Sequence, residues 1–480
     1  MPGSIEENMM GRHNLRPDYI EEGREEAERQ RAIIEQLKSR ADKPKTYYVV
    51  TMGCQMNARD SEKLVGILDE IGCVASETEE AADLVIYNTC CVRENAEQKV
   101  YGRLGYLKSF KKKNPNMKIA LCGCMMQEKV VLEKLKKSYP QVDLIFGTHN
   151  IYKFAELLQA MLDSQGRIID IWQEHQEIVE DLPSIRKHSF KASVNIMYGC
   201  NNFCTYCIVP YVRGRERSRK SENILAEIRS LVADGVKEIQ LLGQNVNSYG
   251  KNLESPISFA QLLEQVNEIE GLERIRFMTS HPKDLSQELI DAMAKLDKVC
   301  PHFHLPLQSG SSRLLEVMNR HYDQEKYLDI VRRLKEAVPE VSITTDIIVG
   351  FPGETREDFL ETLKVVEAVR FDGGFTFIYS KREGTPAAVM EQVDPAEAKQ
   401  NFDELLEVMN RIGYENNQKW VGRTVKVLAE EVSKNDHRML TGRTEHNILV
   451  HFVADQSLLG RVVEVKITEA TAFYMSGEMM

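Results

Sequence analysis

The sequence predicts an α/β protein made of three consecutive parts, and three observations along the chain support this prediction. From Thr46, short apolar runs alternate with amphipathic helical stretches, which is typical of a parallel α/β sheet. From Ser193 the alternation repeats over six strand candidates, as in a full or partial βα barrel. From about Trp420, short strands separated by turn signals indicate a small all-β module.

The predicted divisions of the chain are a charged N-terminal extension, an N-terminal α/β domain, a central βα domain and a C-terminal β module. Their bounds are 1–45, 46–164, 186–418 and 420–478. A length of 480 residues agrees with three domains of roughly 150 residues each. Charged side chains dominate Glu21–Arg31, so the extension is interpreted as a solvated helix or a disordered arm, a dispensable tail in either form.

The N-terminal α/β domain has cysteines at the ends of its predicted strands. The four strand candidates are Tyr47–Met52, Leu84–Thr89, Lys118–Cys122 and Val142–Gly147. Three of them end at or next to a cysteine. Because parallel sheets bind ligands outside the carboxyl ends of their strands, this edge is the predicted binding edge.

The central domain follows a stretch from about 150 to 185 that is interpreted as a helix and a linker. Its six strand candidates are Ser193–Met197, Glu238–Leu242, Arg274–Met278, His302–Leu305, Val341–Val349 and Gly374–Ile378. Helical stretches separate most of them, which indicates a repeated βα unit. The strand candidates of the C-terminal β module are Val425–Ala429, Asn447–Val453 and Val462–Ile467.

The composition is that of an ordinary globular protein, with 42% apolar and 28% charged residues. No apolar stretch approaches the roughly 18 residues of a membrane-spanning helix, and the N-terminus lacks the apolar segment of a secretion signal. The chain is therefore expected to be cytoplasmic and to have no membrane partner. A net charge of -11 argues against coating of nucleic acid by bulk charge but leaves room for a local basic patch.

Ten cysteines in a cytosolic chain indicate metal or redox chemistry rather than a disulfide framework. Cys200, Cys204 and Cys207 form a Cys-x-x-x-Cys-x-x-Cys loop after a strand candidate. Thiolates are the ligands of iron–sulfur clusters, and three on one tight loop can hold a [4Fe–4S] cube whose fourth iron stays open. The alternative, a structural zinc site, requires a second pair of ligands, and the sequence has no second Cys-x-x-Cys.

A second group of cysteines reaches the sheet edge one strand at a time, at Cys54, Cys90 and Cys124. Neighbouring strands lie about 5 Å apart, so three thiolates can converge there. Buried core cysteines are the alternative. Spacing alone also leaves open the choice between Cys90 and Cys91 and between Cys122 and Cys124.

The motifs around these cysteines resemble those of a known family. GCQMN, NTCCVRE and GCMMQ, followed by CNNFCTYC and the C-terminal β module, resemble the methylthiotransferase family of the radical S-adenosylmethionine (SAM) superfamily. The resemblance extends from about residue 46 to 478. It implies a central partial (βα)₆ radical SAM barrel and a C-terminal TRAM domain, a module associated with RNA binding.

The resemblance further implies two [4Fe–4S] clusters, each held by three cysteines. The implied ligands of the first cluster are Cys54, Cys90 and Cys124, and those of the second are Cys200, Cys204 and Cys207. The other cysteines are then expected to pack as small hydrophobic residues, and they include Cys73, Cys91, Cys122 and Cys300.

SAM is implied to bind the open iron of the second cluster, with Tyr206 against its adenine. Further SAM contacts are expected at Gln244 and Asn245, which follow one barrel strand, and at Gly350, which follows another. For the segment around Gln244, the alternative is an ordinary turn.

The implied activity is radical SAM methylthiolation, which converts N6-isopentenyladenosine at position 37 of tRNA to its 2-methylthio derivative. One SAM would methylate a sulfur at the first cluster, and another would supply a 5′-deoxyadenosyl radical at the second. The implied partners are tRNA carrying isopentenylated adenosine 37 and an electron donor such as flavodoxin or ferredoxin. The alternatives are methylthiolation of threonylcarbamoyladenosine in tRNA or of a ribosomal protein, and a non-catalytic RNA-binding protein with a structural metal.

The densest basic run, Arg213–Lys220, directly follows the second cysteine motif. One interpretation is a solvated charge run, and the other is a phosphate contact for RNA near the reaction centre. The sequence leaves both open.

Overall fold

The computed structural model describes residues 12–13, 23–91, 94–172, 178–434 and 436–480; Val92 and Arg93 of the NTCCVRE motif lie outside these ranges. The chain forms two compact units. The first comprises residues up to 201 together with 208–236, and the second comprises 202–207 together with 237–480. Both contain helices and parallel strands, which confirms the predicted α/β class. None of the helices in the described ranges combines the length and the apolar character that crossing a membrane requires.

In its described residues, the first unit contains eleven strands and seven α-helices, numbered here in chain order. The strands are β1 (Arg12–His13), β2 (Thr46–Thr51), β3 (Val74–Ala75), β4 (Leu84–Thr89), β5 (Lys118–Gly123), β6 (Leu144–Phe146), β7 (Ile168–Asp170), β8 (Ser184–Ile185), β9 (Lys191–Asn195), β10 (Met197–Tyr198) and β11 (Arg217–Ser218). The helices are α1 (Arg24–Lys38), α2 (Gln55–Ile71), α3 (Glu94–Lys113), α4 (Lys129–Ser138), α5 (Phe154–Asp163), α6 (Val209–Arg213) and α7 (Ser221–Ala233). Short 3-10 helices cover Cys124–Gln127 and Thr148–Lys153.

A parallel sheet of order β3-β2-β4-β5-β6-β7 forms the centre of the first unit. Alternate residues of β4 pack in two separate apolar clusters, Leu84 and Ile86 in one and Val85 and Tyr87 in the other. Both faces of the sheet are therefore covered, as is usual for parallel strands. The four predicted strands are present.

The short edge strands β3 and β7 were not predicted. The strand β7 corrects the interpretation of residues 150–185 as a helix and a linker, because Ile168–Asp170 pairs in parallel with β6. Three residues are too few to give a periodic signal in the sequence.

The described part of the N-terminal extension is a packed helix. In α1, Ala27, Ile34 and Leu37 are buried, and Arg29 bonds Glu156 of α5 across 2.7 Å. The expectation of a solvated or disordered arm is therefore wrong for this helix, whereas its dispensability stays a prediction. Its buried residues recur at helical spacing, but the surrounding charges masked that pattern.

The second unit continues the numbering. Its strands are β12 (Glu238–Leu242), β13 (Arg274–Phe277), β14 (His302–His304), β15 (Ser342–Val349), β16 (Gly373–Ile378), β17 (Thr424–Val432), β18 (Met439–Thr444), β19 (Leu449–Val453), β20 (Val462–Ala470) and β21 (Tyr474–Met479). Its helices are α8 (Phe259–Asn267), α9 (Gln287–Lys295), α10 (Ser312–Val317), α11 (Gln324–Ala337), α12 (Arg356–Val369) and α13 (Pro395–Gln418). Short 3-10 helices cover Val246–Ser248, Pro282–Asp284, Pro386–Val389 and Gln456–Leu458.

All six strands predicted for the central domain are present, and the first of them, β9, belongs to the first unit. In the second unit, β12 pairs in parallel with β13, and β14, β15 and β16 pair in parallel in that order. The strand β15 alternates between fully buried residues, such as Ile343 and Ile347, and partly exposed ones, such as Thr344 and Asp346. One face of this sheet is thus covered and the other is partly open.

The C-terminal module is a closed barrel of order β17-β18-β19-β21-β20. Two of its five strands, β18 and β21, were not predicted. The module packs on the central strands: Arg274 donates to the carbonyl oxygen of Arg443 at 3.1 Å, and Arg276 donates to that of Thr444 at 2.7 Å. Arg276 is also 3.0 Å from Glu238 of β12. The C-terminal module therefore covers a buried ion pair of the central sheet.

Candidate functional site

Cys54 and Cys124 lie at the carboxyl edge of the parallel sheet in the first unit, directly after β2 and β5. Asn57, in the first turn of α2, lies between them: its Oδ1 is 3.9 Å from Sγ of Cys54 and 3.8 Å from Sγ of Cys124. Its Nδ2 donates to the carbonyl oxygens of Met52 and Thr89, each at 2.8 Å. A single buried amide therefore joins the ends of the strands that deliver the cysteines.

Cys90 follows β4, the strand between β2 and β5. A Cβ atom placed on Gly53 would lie only 2.8 Å from Sγ of Cys90, and Gly53 has φ +108°. Glycine is thus required in this turn, both for its backbone conformation and for the close approach of the thiol. The structure brings Cys54, Cys90 and Cys124 to one edge, as their positions after parallel strands predicted.

The thiols of Cys54, Cys90 and Cys124 lie at one sheet edge near the polar side chain of Asn57, but they do not converge on a single point. In the ranges that the structure describes, no three or more His, Cys, Asp or Glu side chains are arranged to hold a metal ion. A cube of four irons keeps its thiolate ligands farther apart than a single ion does. No disulfide joins any of the ten cysteines, all of which are described.

Arg213, at the end of α6, is a buried cation beside Cys124. Its Nε lies 3.3 Å from Sγ of Cys124, and its Nη2 donates to Oδ1 of Asn57 at 2.7 Å and to Oδ2 of Asp60 at 3.0 Å. An arginine remains charged in a protein and has no lone pair to accept a proton. The thiol edge therefore contains a fixed positive charge that favours a thiolate at Cys124.

Cys91 contacts the same edge, which the sequence did not predict. A hydrogen bond with Cys124, together with burial, raises the pKa of Cys91 well above its usual range. The hydrogen bond from Cys91, opposed by burial and assisted by the charge of Arg213, lowers the pKa of Cys124 to about 6. Cys91 is therefore a donor to a predicted ligand as well as a small buried residue.

The other cysteines that were expected to pack as small hydrophobic residues are buried. Cys122 is fully buried in β5, and burial raises its pKa. Cys73 donates to the carbonyl oxygen of Pro44 at 3.0 Å. Cys300 is buried in the second unit, where burial raises its pKa.

The second cysteine motif divides between the units. Cys200 belongs to the first, where its backbone N–H donates to the carbonyl oxygen of Gly214 at 3.1 Å. Cys204 and Cys207 belong to the second, where the N–H of Cys207 donates to the carbonyl oxygen of Cys204 at 2.9 Å. Nη1 of Arg320 lies 3.4 Å from Sγ of Cys204, so each cysteine motif has one buried arginine on a thiol.

Tyr206 lies in an apolar cluster of the second unit. Its ring is 6.3 Å from that of Phe351, edge to face, and Ile348 of β15 packs in the same cluster. Burial raises the pKa of the Tyr206 hydroxyl well above its usual range. The ring is therefore a neutral, apolar surface beside Cys204 and Cys207, which suits contact with a flat base.

Gln244 and Asn245 carry side-chain oxygens that lack a hydrogen-bond partner. Within the described chain, Oε1 of Gln244 and Oδ1 of Asn245 are buried and unpaired, although Nδ2 of Asn245 donates to Asp284 at 2.8 Å. Within the described residues, buried polar atoms of Asn247, Ser280 and His281 are among the others in the second unit that share this property. A buried polar atom without a partner is costly unless a ligand or water completes it. None of these three residues was predicted from the sequence to be part of a site.

Gly350 lies at the end of β15 with φ +67°. A Cβ atom there would lie 2.6 Å from Cβ of Ala398 in α13, and its N–H donates to Glu354 at 2.5 Å. Packing against α13 therefore explains why this position needs glycine, and no contact with SAM is required to explain it.

Two arginines of the basic run Arg213–Lys220 are buried and have partners within the protein, so they are neither solvated nor accessible to RNA. Arg213 contacts Cys124, as described above. Arg219 is buried between carboxylates, 2.5 Å from Glu180 and 2.7 Å from Glu227. Arg215 is exposed. Both interpretations of the run are therefore wrong for Arg213 and Arg219.

Three family profiles match the chain in order. The radical SAM superfamily matches residues 194–366, the uncharacterized protein family UPF0004 matches residues 46–147, and the TRAM domain matches residues 418–480.

Curated relatives match nearly the whole chain. A protein of Lachnoclostridium phytofermentans named tRNA-2-methylthio-N(6)-dimethylallyladenosine synthase is 57% identical over 94% of this chain and 99% of its own length. A protein of the same name from Alkaliphilus oremlandii is 55% identical over 95% of this chain and 97% of its own length. Among solved structures, the radical SAM methyltransferase TsrM from Kitasatospora setae has a TM-score of 0.52 at 14% identity, covering 72% of this chain and 74% of that one. This last likeness concerns the fold alone.

Proposed function

Because the chain belongs to the tRNA-2-methylthio-N(6)-dimethylallyladenosine synthase family, we propose specific roles for its cysteines and their neighbours in that reaction. The protein is an enzyme, a radical SAM tRNA methylthiotransferase that forms the 2-methylthio derivative of N6-isopentenyladenosine in tRNA. The family, the enzyme class and the function predicted from the sequence are confirmed. The predicted domain bounds remain our proposal.

Our first proposal is that the chain holds two [4Fe–4S] clusters. The observation that carries it is the sheet edge where Asn57 contacts the thiols of Cys54 and Cys124 and Arg213 contacts that of Cys124. The thiol of Cys90, the third member of the first triad, lies beside the Gly53 turn at the same edge. Soft thiolates beside a buried cation fit a cluster, and the expected lowering of the Cys124 pKa supplies one thiolate. The second triad, Cys200, Cys204 and Cys207, is proposed to hold the other cluster.

The SAM site is proposed to lie at the unpaired polar atoms of the second unit. Gln244 and Asn245 would receive hydrogen bonds from polar groups of SAM, and Tyr206 would provide an apolar face for its adenine. Gly350 is retained as a contact only through its backbone, since its α-carbon faces Ala398. When bound, SAM and a reduced cluster supply a carbon-centred radical, the chemistry that an unactivated C–H bond needs.

The partners of this reaction are tRNA and a source of electrons. The TRAM domain supports tRNA as the substrate. We propose a small redox protein such as flavodoxin or ferredoxin as the donor, because cluster reduction needs single electrons. A cytoplasmic location is proposed on the same grounds, since the substrate is tRNA.

Changes at Arg213 are expected to weaken the first cluster. Arg213→Gln removes a cationic donor to Cys124, so we expect iron retention at this site to fall roughly ten- to hundred-fold, as for groups that support metal ligands. The reduction potential of the remaining cluster should also fall, because hydrogen bonds to sulfur raise it. Iron and sulfide content and a redox titration would be measured with the second triad replaced by alanine. The exposed Arg215→Gln is the matched control, and unchanged iron and potential in Arg213→Gln would contradict the assignment.

The function is tested on purified components. The anaerobically reconstituted enzyme, SAM and a chemical reductant are incubated in parallel with tRNA that carries isopentenyladenosine, with tRNA that carries threonylcarbamoyladenosine and with unmodified tRNA, and the nucleosides are analysed by mass spectrometry. The expected product is 2-methylthio-isopentenyladenosine, with none on unmodified tRNA. A methylthio product found only on threonylcarbamoyladenosine would contradict the assigned substrate.

A further inference from the structure

The sheet of β14, β15 and β16 has one covered face and one face that we call the inner face. On β15 the covered face carries Ile343, Ile347 and Val349, all fully buried. The inner face carries the alternate residues Thr344 and Asp346, with Ile348 following them toward the end of the strand. Successive residues of a strand point to opposite faces, so this division is fixed by the strand geometry.

Two phenylalanines of β16 lie on the inner face and are exposed. Register pairs Asp346 with Phe375 and Ile348 with Phe377, which places the partners on the same face of the sheet. Phe375 is 58% exposed and Phe377 is 44% exposed. The intervening side of β16 faces α13, because a Cβ atom on Gly374 would lie 3.0 Å from Cε of Met409.

Polar groups adjoin this aromatic pair. Nδ1 of His304, in β14, is 3.0 Å from the hydroxyl of Thr344, and its Nε2 is 3.4 Å from Oδ2 of Asp346. Asp346 is the register partner of Phe375. The inner face therefore combines two exposed rings with a carboxylate held by a histidine.

The pair also connects to the cysteine motif within the same unit. Ile348, the register partner of Phe377, packs in one apolar cluster with Tyr206 and Phe351. Tyr206 directly precedes Cys207. The rings of Phe375 and Phe377 thus form a path along the inner face that leads toward the proposed SAM site.

We propose that Phe375 and Phe377 receive the isopentenylated adenine of the tRNA, one ring stacking on the base and the other contacting the isopentenyl group. This assignment rests on the proposed function and deepens it to the residues that select the substrate. Enzymes that modify a base remove it from its stack and hold it between aromatic or apolar side chains. Asp346 is placed to accept the N6–H of the adenine.

The same face disfavours the rival modified base. The threonylcarbamoyl group ends in a carboxylate, which would have to lie on two apolar rings next to the carboxylate of Asp346. Like charges in such a site repel, and a carboxylate on an apolar surface is left without partners. The isopentenyl group is apolar and uncharged, so it is not repelled by Asp346 and needs no hydrogen-bond partner on the rings.

The experiment measures binding of two anticodon stem-loop RNAs, identical except for the isopentenyl group, to the reconstituted full chain. One of the variants Phe375→Ala and Phe377→Ala, the one that loses the ring on the isopentenyl group, is expected to reduce the preference for the isopentenylated RNA by about ten-fold, the effect of losing one aromatic contact. The other, which loses the ring stacked on the adenine, is expected to weaken binding of both RNAs by about the same factor. Phe375→Tyr keeps a ring and should keep the preference. Tyr414→Ala, which removes a half-exposed ring of α13, is the matched control and should leave it unchanged.

The circular dichroism spectrum and the iron bound per chain should match the wild type in every variant, which shows that each remains folded. Wild-type preference in both alanine variants would overturn the assignment, as would an equal loss in Tyr414→Ala. If the wild-type enzyme formed no methylthio product on the isopentenylated RNA, the proposed function would fail, and this assignment with it.

Discussion

Replacing Cys200, Cys204 and Cys207 together by alanine is expected to abolish methylthiolation and to halve the iron bound per chain. The reason is that the two proposed clusters have separate ligands. In the first unit, Cys54 and Cys124 are joined through Asn57 and Arg213, none of which is changed in this variant. The remaining iron should therefore keep the absorption and sulfide content of one [4Fe–4S] cluster.

The measurement is iron and sulfide per chain after anaerobic reconstitution, together with formation of 5′-deoxyadenosine. Cleavage of SAM should fall to background, because the open iron is proposed at the second triad. Cys300→Ala, which alters a buried cysteine of the second unit, is the control for the loss of a thiol alone. Loss of all iron in the triple variant would show that the two sites are not independent.

The sequence predicted the strands that deliver the first triad because their apolar runs are strong and each ends in a distinctive turn. Parallel strands end at one edge, so Cys54, Cys90 and Cys124 were expected together, and the structure brings them together. Short strands such as β7 escaped prediction because three residues define no period. In the β module, the apolar residues Met439 and Leu440 of β18 are followed by Thr441, Gly442, Arg443 and Thr444, so the strand has no apolar alternation.

Residues whose role depends on distant partners could not be predicted. In the sequence, Arg213 is only one charge of a basic run. In the structure it contacts Asn57 and Asp60, which lie about 150 residues earlier in the chain. Gly350 was expected to approach SAM, whereas the atom that excludes a side chain there belongs to Ala398. From the sequence, Phe375 and Phe377 are predicted only to be strand residues. Their exposure in the structure distinguishes them from two phenylalanines of a hydrophobic core.

Cys90→Ala is expected to abolish methylthiolation, whereas Cys91→Ala should retain substantial activity. Cys90 lies against the Gly53 turn, within the group of thiols that includes Cys54. Cys91 instead donates a hydrogen bond to Cys124, so its loss should alter the first cluster without removing a ligand. We expect at most about a ten-fold fall for Cys91→Ala, the lower end for groups that support metal ligands.

The two variants form a matched pair, because each removes one buried thiol from adjacent positions. Without Cys91, the pKa of Cys124 should rise, since the hydrogen bond from Cys91 is the largest cause of its lowering. Cys91→Ala should therefore assemble the first cluster less readily at low pH than the wild type, while the difference narrows as the pH rises and Cys124 ionises in both. Cys90→Ala should show no recovery at any pH. Iron content and methylthio product would be measured across this pH series, and an inactive Cys91→Ala beside an active Cys90→Ala would reverse the assignment of the ligand.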